Sequence, residues 1–275
     1  MSGAVDPGPG PGPAAERWRS GLAGWAIPDD IAAAAPEPPW GFPPAIFAER
    51  AERALAERSD SPSQRRAVEA VPDGGTVLDV GVGGGAGSLP LVPPAARLVG
   101  VDEGADLLAA FAAAADRLGV AHQEVQGSWP AVAPEVAPAD VVVCHHVLYN
   151  VADLVPFAAA LTSHARNRVV VEISGDHPTS NLNPLWLAIH GIERPTSPTA
   201  EDAVAVLGEM GLAVAHDSFE RVWQRLGASR ADRVAMTRRR LCVGPDRDAE
   251  IDALLEPDDE AQTRRTVTIW WDGSA

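Results

Sequence analysis

The chain has 275 residues, with 38 acidic side chains against 22 basic ones that are all arginine, and a formal charge of −16 at neutral pH. A field of that sign repels polyphosphate and argues against a general nucleic-acid binder. No apolar run approaches the roughly 20 residues that span a bilayer, and the N-terminus lacks the basic start and apolar core of a secretion signal, so the expected address is the cytoplasm.

Residues 1–15, "MSGAVDPGPGPGPAA", are almost all small or proline; they bury too little apolar surface to offset ordering entropy, and a disordered tail is expected. Residues 16–71 read as an N-terminal helical cap, a series of short helical patterns broken by prolines; Trp18, Trp25, Trp40 and Phe47 supply its apolar faces, as core and cap packing or with a share in the substrate pocket. After Pro72 short apolar strands alternate with helices, the signature of a parallel sheet with crossover connections. "GTVLDVG" is the first strand and "ARLVGVDE" the second, and Pro90, Pro93 and Pro94 leave little more than two helical turns between them. An amphipathic helix, "ADLLAAFAAAADRLG", precedes the third strand, "AHQEVQG"; "ADVVVCHH" is the fourth and "NRVVVEIS" the fifth, with the helix "ADLVPFAAALTSHA" between them. A proline-punctuated insert follows, then the helix "AEDAVAVLGEMG", a sixth strand "LAVAHDSFERVW", an arginine-rich helical pattern over Ser229–Cys242, an acidic helix around Ala249–Leu255, and a last strand, "TRRTVTIWW". Cys144 and Cys242 sit in apolar patterns without CxxC spacing or metal-ligand neighbours and read as buried thiols.

The first strand ends in D-x-G-x-G-x-G, formed by Asp79, Gly81, Gly83 and Gly85, and Asp102 ends the second strand 21 residues after Gly81. Glycines at a strand end supply positive φ and let a ligand approach the backbone closely. In an open parallel sheet the ligand lies at the carboxyl ends of the strands, where an acid such as Asp102 accepts from the two ribose hydroxyls. A dinucleotide fingerprint can be traced through Gly81, Gly83 and Ala86, which keeps an NAD(P)-dependent oxidoreductase open. Asp79 opposes a pyrophosphate and suits a ligand with a cationic amino group; S-adenosyl-L-methionine has that group and no phosphate.

From about Gly75 to Ile173 the chain resembles the class I S-adenosylmethionine-dependent methyltransferases. "LDVGVGGG" looks like the family's first motif, "LVGVDE" like its second, and "VQGSWPAVAPEVAPADVVVCHHVLYNV" like the stretch from the adenine contact through the fourth strand. The proline-broken tail is similar to that of actinobacterial-type members. The resemblance implies a Rossmann-like, doubly wound, mostly parallel seven-stranded sheet with helices on both faces, here over residues 72–275 with inserts at 174–198 and 224–262. It implies S-adenosyl-L-methionine as cofactor. Ser128, between Gly127 and Trp129, stands where the family often has an acid for the adenine amine; serine can accept that bond and Trp129 can stack on the purine. Glu103 stands where the family commonly packs an apolar residue on adenine.

Methyl transfer from a sulfonium requires alignment and exclusion of water, with a base only where the acceptor must lose a proton. The acceptor enters over the ends of the fourth and fifth strands, in "CHHVLYN" and "SGDHP". His145, His146 and His177 are therefore the candidate bases, His145 ahead of His146 because alternation turns one of them toward the cofactor, beside which His145 is also placed. Each of the three can equally be structural. Tyr149 is a candidate for closing the pocket, and Asn150 reads as a helix cap. Trp186 and His190, four apart on one helical face, could roof the acceptor or anchor the insert. Seven arginines lie between Arg221 and Arg240, opposed only by Asp232; a solvated face paired with the acids of Asp246–Asp259 is one reading and an anionic acceptor the other.

The expected function is methylation of oxygen, nitrogen or carbon on a small-molecule acceptor, with no metal and no membrane involved; a protein acceptor and a homodimer stay open, and a nucleic-acid acceptor is disfavoured by the charge. The alternatives are the oxidoreductase and a cofactor-binding regulatory protein without catalysis.

Overall fold

A computed structural model describes residues 12–39, 44–57, 61–222, 229–255 and 263–275. Most of the expected N-terminal tail, Trp40, residues 223–228 and the acids after residue 255 lie outside the described residues. The helices are α1 (Pro13–Ala23), α2 (Asp29–Ala34), α3 (Pro44–Glu57), α4 (Pro62–Val68), α5 (Ala105–Leu118), α6 (Leu154–His164), α7 (Asn183–His190), α8 (Ala200–Glu209), α9 (Arg230–Arg240) and α10 (Asp248–Leu254). The strands are β1 (Thr76–Val80), β2 (Arg97–Asp102), β3 (Ala121–Gln126), β4 (Ala139–His145), β5 (Ala165–Ser174), β6 (Ala215–Val222) and β7 (Thr263–Asp272).

The seven strands form one sheet in the order β3-β2-β1-β4-β5-β7-β6. The first five are parallel and β7 runs antiparallel between β5 and β6. The order reverses between β1 and β4, which is where such sheets open a crevice for ligands. Central strands covered on both sides need continuous apolar runs, and Val141, Val142, Val143 and Cys144 in β4 are fully buried.

One core, on the α1, α6 and α8 side, holds Trp18, Phe157, Leu161 and Leu207; the other, under α3, α4 and α5, holds Leu89, Leu98, Phe111 and Val170. Residues 16–71 thus form no cap with a core of its own: α1 joins the first core, Ala51 of α3 and Ala67 of α4 the second, and Ile31 of α2 a third. This small third core, with Leu185, Trp186, Val234, Leu241 and Ile251, ties α7, α9 and α10 into a lobe.

Three local expectations change. Helix α1 starts at Pro13, inside the expected tail, because Pro fits the first helical position and Ala14 and Ala15 are buried there; the Ala14 amide donates to Glu209 Oε1 and Oε2 of α8 at 3.0 and 2.8 Å. The helix expected after Gly85 shrinks to a single 3₁₀ turn, Leu89–Leu91, among the prolines. Asn150 ends another 3₁₀ turn, exposed, and Asp153 takes the N-cap position of α6. Elsewhere the punctuation works as read: Gly119 and Gly211 adopt φ of +66° and +79° just past α5 and α8, and the Ser229 hydroxyl and Asp232 of α9 form a capping box.

Among the described residues, no helix is long and apolar enough to cross a membrane, and no cluster of His, Cys, Asp and Glu could hold a metal ion.

Candidate active site

Beyond β1 the backbone turns sharply. Gly81, Gly83 and Gly85 have φ of +75°, +52° and +91°, a region that side chains disfavour. A Cβ on Gly81 would also drive into the Val147 side chain. The loop is held from the neighbouring strand: the amides of Gly81 and Val82 donate to Val101 O at 2.8 and 3.0 Å, and Asp102 accepts from Gly83 N through Oδ2 and from Gly104 N through Oδ1, both at 2.9 Å. An ionised carboxylate offers about four acceptor sites, so Asp102 keeps capacity for two hydroxyls. Asp79 is 1% exposed, and its Oδ2 has no hydrogen-bond partner. Burial pushes its carboxyl up to about 7, with the nearby Ser88 offsetting part of the shift and the charge of Asp102 adding to it. A buried acceptor of this kind lacks a donor, and a cationic group would supply one.

Past the ends of β4 and β5 a cavity of about 910 Å³ opens between the sheet and the α7–α9–α10 lobe. Its sheet-side wall is His146, Tyr149, Asn150 and Ser174. Tyr149 is fixed by donating its hydroxyl to Ser174 O and Gly175 O at 3.0 and 3.2 Å and by stacking on Trp18 with ring centroids 5.6 Å apart. His146, with φ +60°, has Nε2 3.0 Å from Glu172 Oε1. Glu172 itself is 2% exposed and also accepts from Arg221 at 2.6 and 3.1 Å and from Ser63 Oγ at 2.6 Å. Burial works to raise its carboxyl, but the His146 hydrogen bond and the charges of His145, Arg221 and His146 outweigh it and hold Glu172 well below the usual range.

A family profile described as a methyltransferase domain matches residues 78–168, which run from β1 through the start of β5. Residues 78–168 are thus a methyltransferase domain, set in a Rossmann-like, mostly parallel seven-stranded sheet. Among solved structures it is similar to the YcgJ protein from Bacillus subtilis, at 14% identity over 78% of this chain and 98% of that one, with a TM-score of 0.50. It is also similar to a cyclopropane-fatty-acyl-phospholipid synthase-like protein from Lactobacillus casei, at 17% identity over 89% and 98% of the two chains and a TM-score of 0.50. At these identities the likeness is one of fold. No curated protein matches the chain in sequence.

The methyltransferase brings together some of the residues singled out from sequence and separates others. Asp79, Gly81, Gly83, Gly85 and Asp102 share the crevice end of the sheet. His145 borders the same place: a Cβ on Gly87 would lie 3.1 Å from its Nδ1 and 3.2 Å from Asp79 Oδ2. Burial depresses the His145 imidazole to about 4, with Glu172 opposing and His146 and Arg221 reinforcing the shift. His146, ranked second from sequence, is the one of the pair that lines the cavity. His177 lines it too, as a wall: its ring lies flat on Trp25, centroids 3.9 Å apart, its Nδ1 is 3.0 Å from Thr179 Oγ1, and burial together with Arg194 lowers it to about 4.

At the adenine end Gly127 donates its amide to Asp102 O at 2.9 Å, and Ser128 and Glu103 are exposed. Trp129 is buried in the core, its ring T-shaped to that of His164 with centroids 4.9 Å apart. Trp186 and His190 do not line the cavity; Trp186 is buried in the third core and His190 Nε2 lies 2.7 Å from Leu241 O, which anchors α7 to α9.

Sequence reading missed Glu172, whose only signal was one acid inside the apolar run "VVVEIS"; Trp25, for which a share in the substrate pocket is the second of the two sequence readings, lines the cavity.

Proposed function

We propose that this methyltransferase acts on a small molecule seated in the 910 Å³ cavity, with His146 as the base for an acceptor hydroxyl or amine and Glu172 as its positioning partner. The residues at the crevice end fit the cofactor. Asp79, a buried acceptor without a donor, would hold the cationic amino group; Asp102 would accept from the ribose hydroxyls; and the glycine turn would let the backbone lie against the nucleoside. S-adenosyl-L-methionine supplies the methyl group on a sulfonium.

The remaining work falls to side chains of the cavity. With Nε2–H donating to Glu172, the imidazole of His146 presents Nδ1 as the acceptor of a proton from the substrate. Glu172, locked by Arg221 and Ser63, fixes that tautomer and stabilises the imidazolium once the proton has moved. Buried Tyr149 and the stacked pair of Trp25 and His177 hold the walls and exclude water.

The orphaned Asp79 oxygen carries the cofactor assignment. It also disfavours a dinucleotide, whose pyrophosphate a carboxylate would repel. Calorimetric titration with S-adenosylhomocysteine tests it: binding is expected, and Asp102→Ala should weaken it by about 1–3 kcal/mol, the cost of deleting one partner of a charged hydrogen bond. Tight binding of NAD, or unchanged affinity in the variant, would remove the reading.

A further inference from the structure

On the reading that this cavity receives the acceptor, we propose that the acceptor is an apolar molecule bearing an anionic oxygen group, carboxylate or phosphate, received by Arg233, Arg240 and Arg264. The protein as a whole carries a charge of −16, yet among the described residues no Asp or Glu lines the cavity while these three arginines do. So local a reversal of sign is built by two elements. On α9, Arg233, Met236, Thr237 and Arg240 fall at i, i+3, i+4 and i+7, one face of the helix, and all four line the cavity. Other arginines of that helix do not line the cavity: Arg230 Nε donates to Asp252 at 2.5 Å, Arg238 to Asp248 at 2.9 and 3.0 Å, and Arg239 to Pro38 O at 2.7 Å. Among the described acids, Asp248 and Asp252 thus meet arginines that do not line the cavity. Arg264 comes from the start of β7, where Thr266 pairs with Ser174 at the end of β5, and its guanidinium donates to Pro178 O at 3.1 Å.

The environment supports an anion. Burial lowers both Arg240 and Arg264 from their ordinary value, with Arg239 adding to the first shift and Asp176 opposing the second. Cations taken partly out of water gain most from an anionic partner, and a planar guanidinium matches a carboxylate or phosphate with paired donors. The rest of the lining, including Leu22, Trp25 and Leu185, offers apolar surface for the body of the molecule. A volume of about 910 Å³ suits a compound of drug-like size.

The test titrates the full chain, with and without S-adenosylhomocysteine, with three probes of one shape: 2-naphthoate, 2-naphthyl phosphate and the neutral 2-naphthamide. At least one anion should bind about tenfold or more tightly than the amide, as a charge-assisted hydrogen bond implies, and the tighter of the two names the headgroup. The preference should fall severalfold in both Arg240→Gln and Arg264→Gln and persist in Arg247→Gln, a nearby surface arginine paired with Glu250. Added salt should weaken the anions and spare the amide, a reading that needs no variant to fold. The proposal is overturned if the amide binds as well as the anions, if none of the three binds, or if Arg247→Gln costs as much as the cavity variants. A heat with S-adenosylhomocysteine but no anion preference defeats the acceptor class alone; no heat with S-adenosylhomocysteine defeats the cofactor reading instead.

Discussion

At the tips of β1 and β2 the working groups come from one stretch of chain, Asp79 to Gly104, and are held mainly by backbone: three positive-φ glycines, and amides donating to Val101 O and Asp102. At the tips of β4 and β5 the cavity draws on Trp25, His146, Ser174, Arg240 and Arg264, and Glu172, buried behind His146, is held by side chains from α4 and β6. The first end can be damaged by changing the conformation of one residue. The second can be damaged only by breaking a network, and it tolerates rearrangement at its exposed edge.

Gly81→Ala should show the largest effect. The substitution places a side chain at φ +75° and pushes it into Val147; left-handed strain of about 1–2 kcal/mol and overpacking of about 1–3 together give a loss of roughly 2–5 kcal/mol. Denaturant unfolding reads the loss, and S-adenosylhomocysteine binding should vanish with it. A variant of wild-type stability and affinity would mean that the turn is softer than its backbone suggests.

Glu172→Ala probes the other end. Removing one member of a buried ion pair costs about 3–5 kcal/mol, but Arg221 is 39% exposed and can turn to water, so roughly 2–3 kcal/mol is expected. Glu172→Gln should cost less and still support His146 weakly. The comparison sharpens if cofactor affinity survives in both variants while the rate of methyl transfer falls, because His146 then loses its partner and the β1 end does not. Equal loss of cofactor binding would show that the two ends are not separable.

The same contrast explains what could be read in the sequence. β1, the glycine turn, β2 and Asp102 were legible because period, spacing and residue type all express a local backbone requirement. The succession of strands and helices along the chain followed from apolar runs alternating with helical patterns, and the mostly parallel seven-stranded sheet from the resemblance. What stayed hidden depends on long-range packing: Trp25 stacks on His177 across more than half the chain, and α9 turns Arg233 and Arg240 toward the cavity and Arg238 toward Asp248. Trp129 failed for the same reason, since an indole next to the expected adenine contact serves either a purine or a core, and here His164 and the α6 side claimed it. His145 and His146 differ by one position; only their neighbours, Asp79 on one side and Glu172 on the other, separate their surroundings.

An effect of pH should come from Asp79, and its sign is fixed by burial. With its carboxyl raised to about 7, the folded protein holds a proton there that the unfolded chain has released, so the stability this group contributes is full below the ordinary carboxylate range and is lost as pH rises to about 7. Binding a cationic amine runs the other way, because the amine favours the ionised carboxylate. Affinity for S-adenosylhomocysteine should therefore rise with pH by at most about tenfold per unit below 7 and level off above it. His145, held near 4, stays neutral through that window and adds nothing to the slope. Calorimetry across the range should give this curve for the wild type and a flat line for Asp79→Asn; a slope that survives in Asp79→Asn would assign the proton to another group and take the amine away from β1.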